Sequence, residues 1–546
     1  MLYNAHTDYD GQWSVLMMGR EHRTIRERLS LAGSVTARAS ALLCALMMLC
    51  VLPLLFHNAF FDINRFKVQA VCSVVPPLAA LYALGRLLGG RQNEKDRGKA
   101  GRGVTLCMLL LMLACVISCA RTGFEETTLT GSNGRYCGLF FMLCCAASYG
   151  VIAYGLRDMR LLMPLMMLCS ALCAGLGVLN AIGIDPLGFY TYIRPGQEEM
   201  FLSTIGHFDF FGTYLVILLP ISAACAIFSP HACARWYGAV CAAVVMLGAA
   251  CSRTECAFVG VHLVCFLLLA FSGGCLRHMY RALALWGAAF ASQSAASRLL
   301  MLSPYTLTFN GLPKYMADSG IASALAALLL AAALVCALLE RRGVRVPGKR
   351  RFVRLALALL LMAVAAIGAA MLYFSCIDTQ TPLGELGNVL RFGDSWGSYR
   401  GFVYTRAMRA FADYSRTDML FGRGMEQTLA ILTPYCEESV TSQLGVYNDP
   451  HCQPLQFLLT CGIFGAAAFI ALYAASLLGV MRRMSGHTPL VALFVSLAAY
   501  ALVMLLNVTQ PILMATYFSL IALAVAHMRQ TERMSSRHNS RGEGTP

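Results

Sequence analysis

The chain has 546 residues, of which 58% are hydrophobic and only 13% charged. A soluble core cannot hide that much apolar surface, so an ordinary soluble enzyme and a disordered chain are both excluded, and a polytopic membrane protein is indicated. The formal net charge of +15 follows the membrane topology described below and requires no nucleic-acid partner.

Residues 1–38 read as a polar, Arg-containing tail. The apolar run that follows (ALLCALMMLCVLPLLF) has no small-residue cleavage pattern behind it, so it is expected to be an uncleaved first span. Further runs fall near 68–85, 104–120, 137–155, 161–182, 210–228, 237–251, 256–272, 282–302, 320–339, 354–375, 454–480, 488–506 and 511–528. With the first, near 40–57, they make about 14 candidate transmembrane helices, each near the length that crosses the hydrocarbon layer. All should be helical, because lipid offers open backbone groups no partner. The expected class is therefore an all-α polytopic membrane protein.

Basic segments such as RLLGGRQNEKDRGKAGR (86–102), LRDMR (156–160) and ERRGVRVPGKRRFVR (340–354) all fall on one side of this arrangement. The positive-inside rule puts both termini in the cytoplasm. The chain then divides into a cytoplasmic tail (1–38), eleven spans (39–375), a large extracytoplasmic loop (376–453), three further spans (454–528) and a second cytoplasmic tail (529–546). Most of the 23 cysteines lie inside apolar runs and act there as small hydrophobes, with no CxxC pair of metal-ligand spacing. The large loop is too long for a simple connection. In SYRGFVYTRAMRAFADY, Val403, Ala407, Ala410, Phe411 and Tyr414 recur at helical spacing, so the loop is expected to be an ordered cap with an amphipathic helix.

Basic residues outside run against the charge rule and each needs a reason. Arg135 opens the fourth span, Arg253 occupies a short turn, and Arg400, Arg406, Arg409 and Arg423 belong to the loop. A guanidinium fork suits phosphate oxygens, so arginines converging at the outer surface would fit a lipid-linked diphosphate. They could equally snorkel or pair with acids such as Glu255 and Asp413. Two histidines stand before spans, His207 (with Asp209) in STIGHFD and His451 (with Asp449) in NDPH. Pro454 fits a first helical position, which leaves His451 just outside the membrane core. There it is either a base for an attacking hydroxyl or an interfacial histidine bonded to the helix start. Asp449 either orients the imidazole or caps the helix. Asn507-Val508-Thr509 spells a glycosylation acceptor, in a turn too tight and too near the membrane for that use. No P-loop or zinc motif is present in the sequence.

Four of these segments resemble, in order, the O-antigen ligase/polymerase-like superfamily of membrane glycosyltransferases: GSNGRYCGLFFML, FLSTIGHFDFFGTYLVILLP (201–220), GSYRGFVYTRAMRAFADYSRTDMLFGRGMEQT (397–428) and NDPHCQPLQFLLTCGIFG. The resemblance implies a GT-C-like bacterial cytoplasmic-membrane enzyme with an extracytoplasmic active site. Such an enzyme moves a glycan from a polyprenyl-diphosphate donor to a glycan, lipid or protein acceptor, with no cofactor or metal. It further implies catalysis at His451 with Asp449, diphosphate contacts from Arg135, Arg253, Arg400 and Arg406, and His207 and Asp209 at the rim. Two positions depart from the pattern: Cys452 replaces the Asn that follows the histidine, and His207 with Asp209 replaces an Asn pair. The rival readings are a lipid-linked oligosaccharide flippase and a family member that binds polymer without transferring it. Sparse mid-span charge and the absence of repeats favour the transferase over a transporter.

Overall fold

The computed structural model describes residues 24–89, 99–132, 134–194, 196–305, 307–309, 311–346, 348–436, 447–484 and 487–542. Most of the N-terminal tail, the tip of the last tail, and parts of the 86–102 and 376–453 segments lie outside the described residues. The fold is 78% helical, with one two-residue antiparallel ladder, β1 (Phe201–Leu202) against β2 (Gly206–His207).

The long helices are α1 (Ile25–Leu46), α2 (Ile63–Leu88), α3 (Arg102–Arg121), α4 (Leu139–Gly155), α5 (Leu162–Ala181), α6 (Phe208–Phe228), α7 (Ala232–Cys251), α8 (Glu255–Ser272), α9 (Leu276–Leu300), α10 (Ile321–Arg341) and α11 (Lys349–Cys376). After them come α12 (Trp396–Ala412) and the short α13 (Arg416–Phe421), then α14 (Gln453–Met481), α15 (Thr488–Leu506) and α16 (Pro511–Gly542). Among the described residues, 12 helices are long and apolar enough to cross a membrane. Two of the expected runs fall short of that standard. Helix α4 has only 17 residues, and α9 carries Arg277, Arg281, Gln293 and Arg298 along its length. Helix α1 begins well before its apolar run, because Thr24 and Glu27 form a reciprocal capping box (3.0 and 3.3 Å) that nucleates it early.

Helices α6 and α16 are apolar and enclosed by protein on almost every side, so they form the centre of the bundle. Helix α6 packs on α7, α8 and α15, while α16 packs on α4 and α15. At the opposite extreme, no residue in the apolar stretch of α11 is fully buried, and Val353 and Leu360 are only partly covered by the core. The loops that precede α4, α6 and α14 and the turns joining α7 to α8 and α15 to α16 gather at one end of the bundle, where hydrogen bonds link them.

Helix α14 is broken at Gly462 (φ 69°, ψ −170°), a left-handed extended geometry that only glycine adopts readily. The break frees helix carbonyls that lipid could not satisfy. The Gly422–Gly424 strand fills that need: Arg423 N–H donates to the Leu459 carbonyl (3.3 Å) and Gly424 N–H to that of Thr460 (3.1 Å). The Tyr414 hydroxyl adds a bond to Leu459 (3.0 Å), and Ser118 from α3 donates to Thr460. The two backbones approach so closely that a Cβ on Gly462 would strike Leu420, and one on Gly422 (φ +77°) would strike Thr460. The apolar stripe of α12 is buried beside this joint, with Phe402, Val403, Ala407, Ala410 and Tyr414 packing on Ile431, Leu432 and on Leu455 and Leu459 of α14.

Gly462→Ala is expected to destabilise the protein by roughly 2 kcal/mol or more, since left-handed strain and a backbone clash act together. Gly368→Ala, at an open position in α11, should be nearly neutral. Thermal unfolding of the two variants in detergent tests this, and equal midpoints would refute the account of the joint.

Candidate functional site

His451 sits in the loop that leads into α14, in a left-handed conformation (φ 56°). The Asp449 side chain holds that conformation by accepting the His451 N–H (2.7 Å) and the Thr509 N–H of the α15–α16 turn (3.0 Å). Asp449 is 1% exposed, and burial raises its pKa, while Arg135 and the two N–H donors oppose the rise. Its carboxylate therefore braces the backbone and does not touch the imidazole ring. Instead, ring Nδ1 stands 3.1 Å from the Asp449 carbonyl oxygen. A carbonyl can only accept, so this contact selects the Nδ1–H tautomer and leaves the lone pair on Nε2. Burial, then Arg400 and Arg135, push the His451 pKa down to about 3, so the ring is neutral over the ordinary pH range. Tyr404 steadies the same loop, its hydroxyl 3.2 Å from the His451 carbonyl and 2.8 Å from that of Leu505. Cys452 takes the N-cap position of α14 without a side-chain cap bond.

Arg400 and Arg135 bear on this histidine from different elements, and Arg253, together with Arg135, bears on the neighbouring His207. Arg135 donates from Nε to Asn448 Oδ1 (3.2 Å), beside the Phe210 ring. Arg400 is tied through Nε to the Leu506 carbonyl (2.8 Å) and through Nη1 to that of Gly397 (2.6 Å). Arg253, itself left-handed (φ 65°), donates to the Glu199 carbonyl and lies over Phe208. Its Nε is buried with no partner among the described residues, and burial lowers its pKa, an effect opposed by Glu199. The hydrogen bonds that anchor the three guanidinium groups go to neutral oxygens, while Arg253 also lies 3.9 Å from the Glu199 carboxylate and Arg135 lies near Glu426 and Asp449.

His207 lies in the same electrostatic neighbourhood. Burial lowers its pKa; Asp209 opposes that, and Arg135 and Arg253 reinforce it. Its Nδ1 accepts the Asp209 N–H (3.3 Å), which caps α6, and its ring stacks on Phe208. Asp209 is linked through its carbonyl to Asn507 (3.5 Å), whose amide also reaches Thr213 (2.7 Å). Arg406 is engaged elsewhere: it pairs with Asp394 (2.7 Å) and lies over the Phe402 ring (4.0 Å). None of its described contacts reaches His451.

Two participants were not singled out in the sequence. Glu426, just after the Gly-x-Gly element, is 4% exposed and accepts the Arg135 N–H. The α15–α16 turn, which reads as an unusable glycosylation acceptor, supplies both the Thr509 N–H and Asn507. Backbone strain could not be read in advance either. Among the described residues, nine non-glycine positions are left-handed, and seven of them (Tyr136, Ser203, Arg253, Ser398, Tyr399, Glu426 and His451) are site residues or flank one. Strain of this kind collects where a geometry is held for function. Among the described residues no group of three or more His, Cys, Asp or Glu is placed to hold a metal ion.

Residues 316–470 match the family model described as O-antigen ligase. The chain carries an O-antigen ligase-like domain. No curated protein matches the chain. The ligase-like stretch runs from the end of the 311–318 helix into α14 and contains Arg400, Glu426, Asp449, His451 and Gly462, whereas Arg135, His207, Arg253 and Thr509 are contributed from outside it. The helical fold makes the protein a multi-pass membrane protein, and its residues 316–470 are similar to O-antigen ligases.

Asp449→Ala leaves two buried N–H donors without an acceptor, each worth about 1–3 kcal/mol. It should therefore lower the unfolding midpoint, whereas Asp449→Asn, which keeps one acceptor oxygen, should lower it less. Equal midpoints for wild type and Asp449→Ala would remove the bracing role.

Proposed function

We propose that the protein is an extracytoplasmic glycan ligase or polymerase that transfers an oligosaccharide from a polyprenyl-diphosphate donor to an acceptor hydroxyl. The observation that carries this reading is the cluster of Arg135 and Arg400 about a neutral His451, with Arg253 beside the adjoining His207. Three cationic forks suit a diphosphate, and a neutral imidazole with its lone pair on Nε2 suits a hydroxyl proton.

In the reaction, His451 Nε2 accepts the proton of the acceptor hydroxyl as its oxygen attacks the anomeric carbon of the donor glycan. The anomeric carbon–oxygen bond breaks, and its electron pair leaves with the diphosphate. The charge that develops on that leaving group is met by the arginines, whose anchored positions require little reorganisation during the step. Asp449 maintains the His451 backbone geometry, and its carbonyl maintains the tautomer. In the free protein the arginines disfavour a proton on His451. A bound diphosphate offsets their charge, so the donor makes the imidazole a stronger base when it is needed. His207 keeps a capping role at the rim, Asp209 joins α6 to the α15–α16 turn, and Arg406 stabilises α12 without contacting the donor.

Reconstitution with a pool of polyprenyl-diphosphate oligosaccharides tests the reading. Wild type should release the lipid diphosphate and lengthen or transfer the glycan. His451→Ala should slow release by about 10²–10⁴-fold, the usual weight of a general base. Intact protein that releases no diphosphate but carries the lipid across the bilayer would replace the transferase with a flippase.

A further inference from the structure

Glu426 is, with Asp449, one of two deeply enclosed acids near the site, yet the proposed reaction gives it nothing to do. It follows the Gly422–Gly424 strand that docks into the break of α14, so its backbone is fixed by the bonds to Leu459 and Thr460. Its own conformation is left-handed (φ 57°), which turns the side chain back against the loop that opens α4. There the carboxyl lies on the Gly134–Arg135 peptide and accepts the Arg135 N–H. The fit is so close that a Cβ on Gly134 would run into the Glu426 carboxyl oxygen. On the far side of the same peptide, the Arg135 guanidinium is aimed by its Nε bond to Asn448, the residue before Asp449.

We propose that Glu426 is a positioning residue for the donor diphosphate: its carboxyl clamps the Arg135 main chain, aiming the guanidinium toward the loop that carries His451. The proposal rests on the transferase reading for the identity of the ligand. Its physical basis is a surplus of acid. Two buried carboxyls, Glu426 and Asp449, face one guanidinium, with the Cys137 thiol as the other titratable neighbour. Asp449 receives two N–H donors, which with Arg135 favour its charged form against the rise that burial causes. Burial pushes Glu426 up to about 7, with Asp449 adding to the rise and with the Arg135 N–H and guanidinium opposing it. A neutral carboxyl still accepts from an N–H, so the clamp survives protonation. A second carboxylate would instead compete with the donor's phosphates for Arg135.

The consequence is a pH-dependent affinity that comes from the protein and not from the ligand. As pH rises from about 6 to about 8, the fraction of protein with Glu426 neutral falls from roughly nine tenths to roughly one tenth, so the apparent Kd for a diphosphate ligand rises about tenfold. A suitable probe is a farnesyl-diphosphate-linked N-acetylglucosamine, because both of its phosphates are esterified and its charge is constant over this range. Binding is measured with the full chain in lipid nanodiscs. Wild type should show the tenfold step. Glu426→Gln, which retains an acceptor without the charge, should bind at both pH values within about twofold of wild type at the lower one. Glu426→Ala, which lacks the acceptor, should bind more weakly at both. A flat wild-type profile, or the same step in the Gln variant, overturns the proposal. The wild-type profile decides even if the variants fail to fold. Turnover is read in parallel: a pH step in binding without glycan transfer leaves the Glu426 role standing and sinks the transferase reading. Absence of binding at any pH overturns both.

Discussion

The interrupted helix α14 is the constraint from which the site is built. A span that breaks within a membrane leaves carbonyls that must find donors inside the protein. Here the donors are two successive N–H groups of the Gly422–Gly424 strand, a tyrosine from just after α12 and a serine from α3. This requirement holds the Gly422–Gly424 segment so close to the helix that a Cβ on either side would clash, which explains why both partners have glycine at the point of contact. The strand delivers Glu426, Glu426 holds the peptide of Arg135, and Arg135 reaches Asn448 in the loop that opens the same broken helix. The path therefore closes on itself through three separate parts of the chain, and no member can shift alone.

A second brace meets the first at Asp449. Its carboxylate joins the start of α14 to the turn between α15 and α16, and that turn reaches α6 through Asn507 and Thr213. Helices α6 and α16, almost wholly enclosed, thus set the position of His451 from below. Such support is what allows left-handed conformations to persist at His451, Glu426, Arg253 and Tyr136. Each is unfavourable by about 1–2 kcal/mol in an unconstrained L-residue. The strain stays because relaxing any one of them would break buried hydrogen bonds worth as much.

The helices were legible in the sequence because lipid imposes one rule on every span, and each expected run lies on a helix. The count was less so: length alone does not distinguish a short apolar helix such as α4 from a spanning one, and hydropathy averages hide the arginines of α9. The candidate residues His451, Asp449, Arg135, Arg253 and Arg400 also stood out, being polar groups at the lips of apolar runs. Their division of labour did not. Asp449 looks like a partner for the imidazole because it lies two residues away, but a left-handed His451 turns its N–H, not its ring, toward that carboxylate. Arg406 resembles Arg400 in sequence, yet helical phase points it at Asp394 and Phe402. Glu426 could not be read at all. A lone glutamate after two glycines looks solvated, and only the docking of its strand into a helix break thirty-odd residues later buries it.

The electrostatics of the assembled site follow from one choice of charge. Arginines placed to receive a diphosphate necessarily disfavour a proton on any nearby imidazole. His451 therefore rests neutral, which a base requires, but its proton affinity in the free protein is low. These two consequences conflict only while the site is empty. Under the proposed reaction, the donor's negative charge offsets the cations that depress the histidine; cleavage adds to that charge on the polyprenyl diphosphate, and its release removes the support. The imidazole then loses its acquired proton most readily once the product has left. A single cationic ring thus ties the order of substrate binding to the order of proton transfer, with no moving part beyond the ligand itself.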